Sequence, residues 1–152
     1  MSELTQTLKK EFRDKETAHI YVKEFLYENI ATQIKVLREH RGWTQKELAE
    51  KVGMKQSRIS LLENPNYDKW TIFTLIKLAE TFDVGLYLSY ENFSTIIEHI
   101  DSFSRESLER KSREADLDDE DKEEHLEKYD KREKLTTKSK PNIPPGSSST
   151  AF

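Results

Sequence analysis

Two short amphipathic helices meeting across a glycine constrain this chain more than any other feature in it. Thr44, Gln45, Lys46 and Glu47 form a capping box. The Thr44 hydroxyl can accept from the amide of the third helical residue, and the Glu47 carboxylate can reach back to the cap amide. The helix that follows turns Leu48, Ala49 and Val52 inward and Glu47, Glu50 and Lys51 outward. Gly53 stops it, at a turn that favours positive φ. Met54 is an apolar plug, and residues 56–63 read as a second helix with Ile59 and Leu62 inward. Ala49 is small where the two helices cross, because a larger side chain would push them apart. Apolar, small and glycine positions in this register predict a helix-turn-helix, whose second helix lies in the DNA major groove.

The flanks are read from periodicity. From Asp14, apolar residues recur at three and four: Ala18, Tyr21 and Val22, Phe25 and Leu26, Ile30, Ile34, Leu37. Asp14 or Thr17 caps this helix, and it either runs unbroken to His40 or restarts at Asn29; Gly42 ends it. Asn64, Pro65, Asn66, Tyr67 and Asp68 form a turn, and Thr71 caps a further helix carrying Ile72, Leu75, Ile76, Leu78, Ala79 and Phe82. Residues 84–90 then alternate, with Val84, Leu86 and Leu88 against Gly85, Tyr87 and Ser89, which predicts a strand. A lone strand leaves its backbone unpaired, so the expected partner is the same strand of a second copy. A short helix over 93–103 follows, with Phe93, Ile96, Ile97 and Ile100 apolar.

Beyond Phe103 the chain is almost all charge, then rich in Pro and Ser. With 34% hydrophobic and 36% charged residues overall, such a segment cannot build a core and is expected to be a disordered tail. The expected organisation is a partly helical N-terminal extension (1–28), the helix-turn-helix domain (29–83), a dimerising strand and short helix (84–103) and the charged tail (104–152).

Charge and chemistry narrow the function. The net charge of -4 by itself argues against a nucleic-acid binder. Residues 34–70, however, hold 8 Lys and Arg against 5 Asp and Glu, so the positive excess lies with the helix-turn-helix. The absence of cysteine removes disulfides, thiolate zinc sites, Fe–S clusters and cysteine nucleophiles, and fits a reducing cytoplasm. No apolar run approaches the roughly 20 residues that span a bilayer, and the first residues carry no signal-peptide stretch. A cytoplasmic, nucleoid-associated protein without membrane contact is expected. His19, His40, His99 and His125 lack metal-ligand spacing. Residues 53–57 lack the first glycine of a phosphate loop, and the acidic run 118–121 lacks the Gly and terminal Glu of a calcium loop. No catalytic arrangement, metal site or cofactor is expected, and no enzyme activity.

The segment IKVLREHRGWTQKELAEKVGMKQSRISLLEN, followed by WTIFTLIKLAETFDV, resembles the lambda-repressor-like helix-turn-helix of the Xre/Cro type. The marks are Arg38, Gly42, Thr44 and Gln45, then Leu48 and Ala49, Gly53, Gln56 and Ser57, Ile59 and Ser60, and Glu63. The resemblance covers roughly residues 30–84. It implies a mainly α fold: a four- to six-helix lambda-repressor-like DNA-binding domain, here with one C-terminal dimerising β-strand and a disordered charged tail. It also implies site residues. Gln56, Ser57 and Ser60 take the base-reading positions, and a glutamine there bonds adenine bidentately. Arg58 reaches a guanine or a phosphate, and Gln45 contacts phosphate and braces Gln56. Lys55, Asn64, Asn66, Tyr67, Lys69 and Thr71 lie along the backbone, and Trp43 and Trp70 pack. Glu63 bonds within the domain.

Two functions follow from that resemblance. One is a sequence-specific regulator, most simply a repressor, that reads a pseudo-palindromic double-stranded operator as a homodimer with half-sites roughly 34 Å apart. Val84, Leu86, Leu88, Tyr90 and Phe93 would form its dimer contact. The alternative is an antitoxin-type protein that binds a partner protein, a toxin or another, through its tail and regulates its own operon.

Overall fold

The computed structural model describes residues 1–119, in which eight helices form. Residues 1–114 make one compact unit; a second begins at Ala115. In the first unit, α1 (Glu3–Glu11) starts at Ser2, whose hydroxyl accepts from the Thr5 amide at 3.0 Å and also bonds the Asp101 carboxylate. Asp14 caps α2 (Lys15–His40), accepting from the Thr17 amide at 2.8 Å. Those hydrogen bonds hold its carboxyl below the usual aspartate range.

Helix α2 answers the question left open at Asn29. It is one helix of 26 residues, roughly 39 Å long, and Ala31 is buried just past the point where it could have broken. Its length lets it serve two apolar clusters. The first half packs Tyr21 and Phe25 against Leu8 of α1 and Ile97 and Ile100 of α6 (Phe93–Asp101). The second half brings Ile34 and Leu37 to the main core, with Leu48 and Ala49 of α3 (Gln45–Val52), Ile59 and Leu62 of α4 (Gln56–Leu62), and Leu78 and Phe82 of α5 (Ile72–Phe82).

The local signals appear as geometry. The Thr44–Glu47 capping box is present in both directions, and Thr71 caps α5. Gly42 and Gly53 sit at φ 72° and 75°, the left-handed region in which a glycine ends a helix without strain.

The expected strand is absent. Among the described residues no β-strand forms, and residues 85–91 make no backbone–backbone hydrogen bond. The exposures do not alternate either: Leu86, Tyr87, Leu88 and Tyr90 all face solvent. Alternation favours a strand only when one face is buried and the backbone is paired, and neither condition holds here. The fold class is therefore mainly α without a dimerising strand.

The start of the charged segment also differs from expectation. Ser104 caps α7 (Arg105–Leu108), Leu108 is buried, and α8 (Arg113–Asp118) follows. Polar ties hold residues 105–113 within the first unit. Gln33 Nε2 donates to the Leu108 carbonyl at 3.1 Å, Arg41 to the Arg110 carbonyl at 2.8 Å, and Arg105 pairs with Glu39 at 2.7 Å. Arg113 pairs with Asp83 at 3.2 Å. The expected tail from 120 onward, with His125 and the end of the acidic run, lies outside the described residues. Among those described, no helix is long and apolar enough to cross a membrane.

Candidate nucleic-acid interface

Helix α4 is held from below and open above. Ile59 and Leu62 are buried in the main core, while Gln56, Ser57, Arg58 and Ser60 are exposed together. An α-helix brings residues three and four apart to one face, so anchoring Ile59 and Leu62 turns the polar set outward. Lys55, the N-cap residue, is exposed as well and makes no side-chain cap bond. Arg58 leans toward the next helix, with Nη2 3.5 Å from the Thr74 hydroxyl, rather than toward Glu63 or Glu47.

A buried ion pair fixes the angle between the helices. Arg38 of α2 donates through Nε and Nη2 to Glu63 at 2.6 and 3.1 Å, and through Nη1 to the Trp43 carbonyl at 2.8 Å. The side chains are 11% and 4% exposed. The hydrogen bond to Glu63 raises the Arg38 pKa above its already high ordinary value. Gln45 Nε2 joins the pair, donating to Glu63 at 3.0 Å. The amide assigned to bracing Gln56 is thus committed to Glu63. Glu63 is internal to the domain, and its charge is compensated there. Sequence reasoning recognised Arg38 only as a family mark; its guanidinium links α2, α3 and the end of α4, a contact across 25 residues that no local pattern reveals.

The loop between α4 and α5 is ordered by its own side chains. The Asn64 side-chain Oδ1 accepts from the Asn66 backbone amide at 2.9 Å, and the Tyr67 hydroxyl donates to the Lys69 carbonyl at 3.2 Å. Trp70 donates its indole N–H to the Leu62 carbonyl at 3.1 Å and meets Tyr67 edge-on at 5.1 Å. That N–H caps the end of α4, so Trp70 packs and no phosphate role remains for it. The Thr71 hydroxyl accepts from the Thr74 amide at 3.2 Å, and Lys69 is exposed. Trp43 stacks on Phe82 at 5.9 Å with Lys51 over its ring.

Helix α4 and the loop after it therefore expose polar side chains from Lys55 to Thr71, with Leu61 also exposed among them, while the Glu63 carboxylate is paired with Arg38. The expected dimer residues are divided. Val84 packs on the main core and Leu86, Leu88 and Tyr90 are exposed. Phe93 is partly exposed and packs edge-on against Phe12 at 5.8 Å and His19 at 5.3 Å. Among the described residues no cluster of His, Asp and Glu is arranged to hold a metal.

Residues 34–88 match a helix-turn-helix family model. Over 59 residues the chain is 41% identical to Antitoxin HipB of Escherichia coli (strain K12), covering 39% of this chain and 66% of that protein. It is 39% identical over 59 residues to Antitoxin HipB of Escherichia coli O6:H1 (strain CFT073), covering 39% and 62%. The chain thus spans just under two thirds of each relative's length. No solved structure matches it significantly.

Proposed function

We propose that the chain is a DNA-binding regulator of the Xre/Cro-type helix-turn-helix family that acts as an antitoxin-type protein: it binds a partner protein and represses its own operon. Its identity of 41% to a protein named as an antitoxin, over a segment of helix-turn-helix length, carries this reading. The exposed polar set on α4 supports the DNA half. Gln56 and Ser57 contact bases, Ser60 and Arg58 extend the contact, and Gln45, Lys55, Asn64, Asn66, Tyr67, Lys69 and Thr71 follow the phosphates. At Asn66 the backbone amide is already engaged by Asn64, which leaves its side-chain amide to donate to a phosphate.

One helix of seven residues reads too few bases for a unique site, so the operator is a pseudo-palindrome read by two copies. Exposed Leu86, Leu88 and Tyr90, three of the residues assigned to the dimer contact, are apolar groups available for contact between copies.

The test is fluorescence anisotropy with DNA from upstream of the chain's own coding region. Wild-type binding should vanish on a scrambled duplex, and Gln56→Ala should weaken it by about 1–3 kcal/mol. Equal affinity for both duplexes would remove the sequence-reading role. The partner half is tested separately, by co-purification with the product of the adjacent reading frame and by relief of any growth arrest it causes. No complex and no relief would leave a DNA-binding regulator without an antitoxin role.

A further inference from the structure

A cleft of about 490 Å³ opens between the two apolar clusters. Ile34 and Leu37 of α2 and Leu78 and Phe82 of α5 line it on the main-core side, residues 84–87 line another part, and Phe103 and Leu108 line a third. That volume, and an apolar lining with a few polar groups, are what small-molecule sites share.

The charges around it are one-sided. Among the described residues no carboxylate lines the cleft, and the basic residues that line it are Arg110 and His99. Arg110 is held by its own turn, with Nη1 donating to the Ser107 carbonyl at 2.8 Å and the Glu109 carbonyl at 2.6 Å. Glu109, its neighbour in sequence, is drawn to His40 and Arg105 instead. A second guanidinium, that of Arg41, is tied to the Arg110 and Phe82 carbonyls and holds these two parts of the lining together.

An apolar chamber with a guanidinium in its lining and no competing carboxylate complements an amphipathic monoanion. We infer that the cleft is a binding site for a small apolar carboxylic acid, its hydrocarbon body on the accessible Ile30, Leu75 and Leu86 and its carboxylate on Arg110. Guanidinium–carboxylate pairing is geometrically specific and stronger than a neutral hydrogen bond. The ligand would also supply contacts that Leu86 and Tyr87 lack, because residues 85–91 have no backbone pairing of their own. Through that segment and α5, occupancy reaches the loop beside the reading helix. This last consequence rests on the proposed DNA reading; the binding site itself does not.

The experiment is calorimetric titration of the full chain, without DNA, with octanoate, 4-phenylbutyrate and 1-naphthaleneacetate, and with the neutral 1-naphthaleneacetamide. At least one acid should bind saturably at one site per chain. Arg110→Gln, at an exposed position, should weaken that acid roughly fivefold or more and leave the amide unchanged. Leu86→Glu, which puts a carboxylate into the lining at an exposed position, should abolish acid binding while the circular dichroism stays that of wild type. No saturable binding by any of the three acids, or equal acid binding by wild type and Arg110→Gln, would overturn the site. Adding a bound acid to the operator titration separates the two readings. An acid that binds without changing operator affinity keeps the site and removes only the coupling; loss of acid binding leaves DNA reading untouched.

Discussion

The inner and outer halves of the first unit are built on the same helix and stabilised in different ways. The inner core draws eight buried residues from α2, α3, α4 and α5 and encloses the Arg38–Glu63 pair. The outer cluster has three, Leu8, Ile97 and Ile100, bordered by aromatic rings, and its neighbour α7 is attached by partly exposed polar ties. Burying one Leu or Ile side chain contributes about 1.5–3 kcal/mol, so the inner half is the more stable by several such increments. Helix α4, the proposed reading helix, belongs to it. The accessory helices surround that module without being needed for its angle, and mutation can test this separation.

Removing one member of the buried pair should have the largest effect. Arg38→Met leaves the Glu63 carboxylate, 4% exposed, without its partner, and should cost about 3–5 kcal/mol in urea unfolding. Arg105→Met breaks a pair of which Arg105 is 48% exposed, and should cost under about 1 kcal/mol. Equal losses from the two would break the comparison.

Truncation of the apolar residues comes next. Leu48 and Leu8 are both almost fully buried, at 0% and 1% exposure. Leu48→Ala and Leu8→Ala should each cost about 2–5 kcal/mol. They should part company in function: operator affinity falls with the fold in Leu48→Ala, and stays within about twofold of wild type in Leu8→Ala once the protein is folded. A tenfold loss in Leu8→Ala would mean that the outer helices position α4 after all.

The same division governs what was legible in the sequence. Helix α3, its capping box, Gly53 and the inward set on α4 are local patterns, within reach of spacing and propensity. The candidate reading residues were legible for the same reason: with Ile59 and Leu62 fixed inward, Gln56, Ser57 and Ser60 have one face left. What escaped was non-local. The Gln33–Leu108 bond joins residues 75 apart, so a segment that composition placed in solvent is held in place from 104 to 114. The strand failed because alternation at Val84, Leu86 and Leu88 cannot reveal whether a partner is present. The Gln45–Glu63 contact was likewise hidden, because nothing local shows that Glu63 lies beside Gln45.

A smaller effect sharpens the comparison at the turn. Gly53 stands at φ 75° with nothing within 4 Å of an added Cβ, so Gly53→Ala is opposed by backbone conformation alone. It should cost about 1 kcal/mol, seen as a lower melting temperature. Gly85 also has open space around it and no positive φ. Gly85→Ala should therefore stay within about 0.5 kcal/mol of wild type.

The smallest effect is a pH dependence at the tie between α2 and α7. The Arg105 hydrogen bond lowers the Glu39 pKa from its ordinary 4.5. A carboxylate with a depressed folded pKa contributes stability that is present above the unfolded value and is lost as pH falls through the folded one. Acidification below 4.5 should therefore loosen α7 from α2, with the amides around Leu108 exchanging faster than their intrinsic rates require. The pair is partly exposed, so the change is under about 1 kcal/mol. The Asp14 carboxyl is also held below its ordinary value, at the other end of α2, so Glu39→Gln is the needed comparison. If the α7 tie is responsible, that variant exchanges fast at Leu108 at every pH, while the amides of α3 and α4 follow wild type. Acid-induced exchange at Leu108 that persists undiminished in Glu39→Gln would trace the sensitivity to the Asp14 cap, and would couple the outer half to the start of α2 rather than to its end.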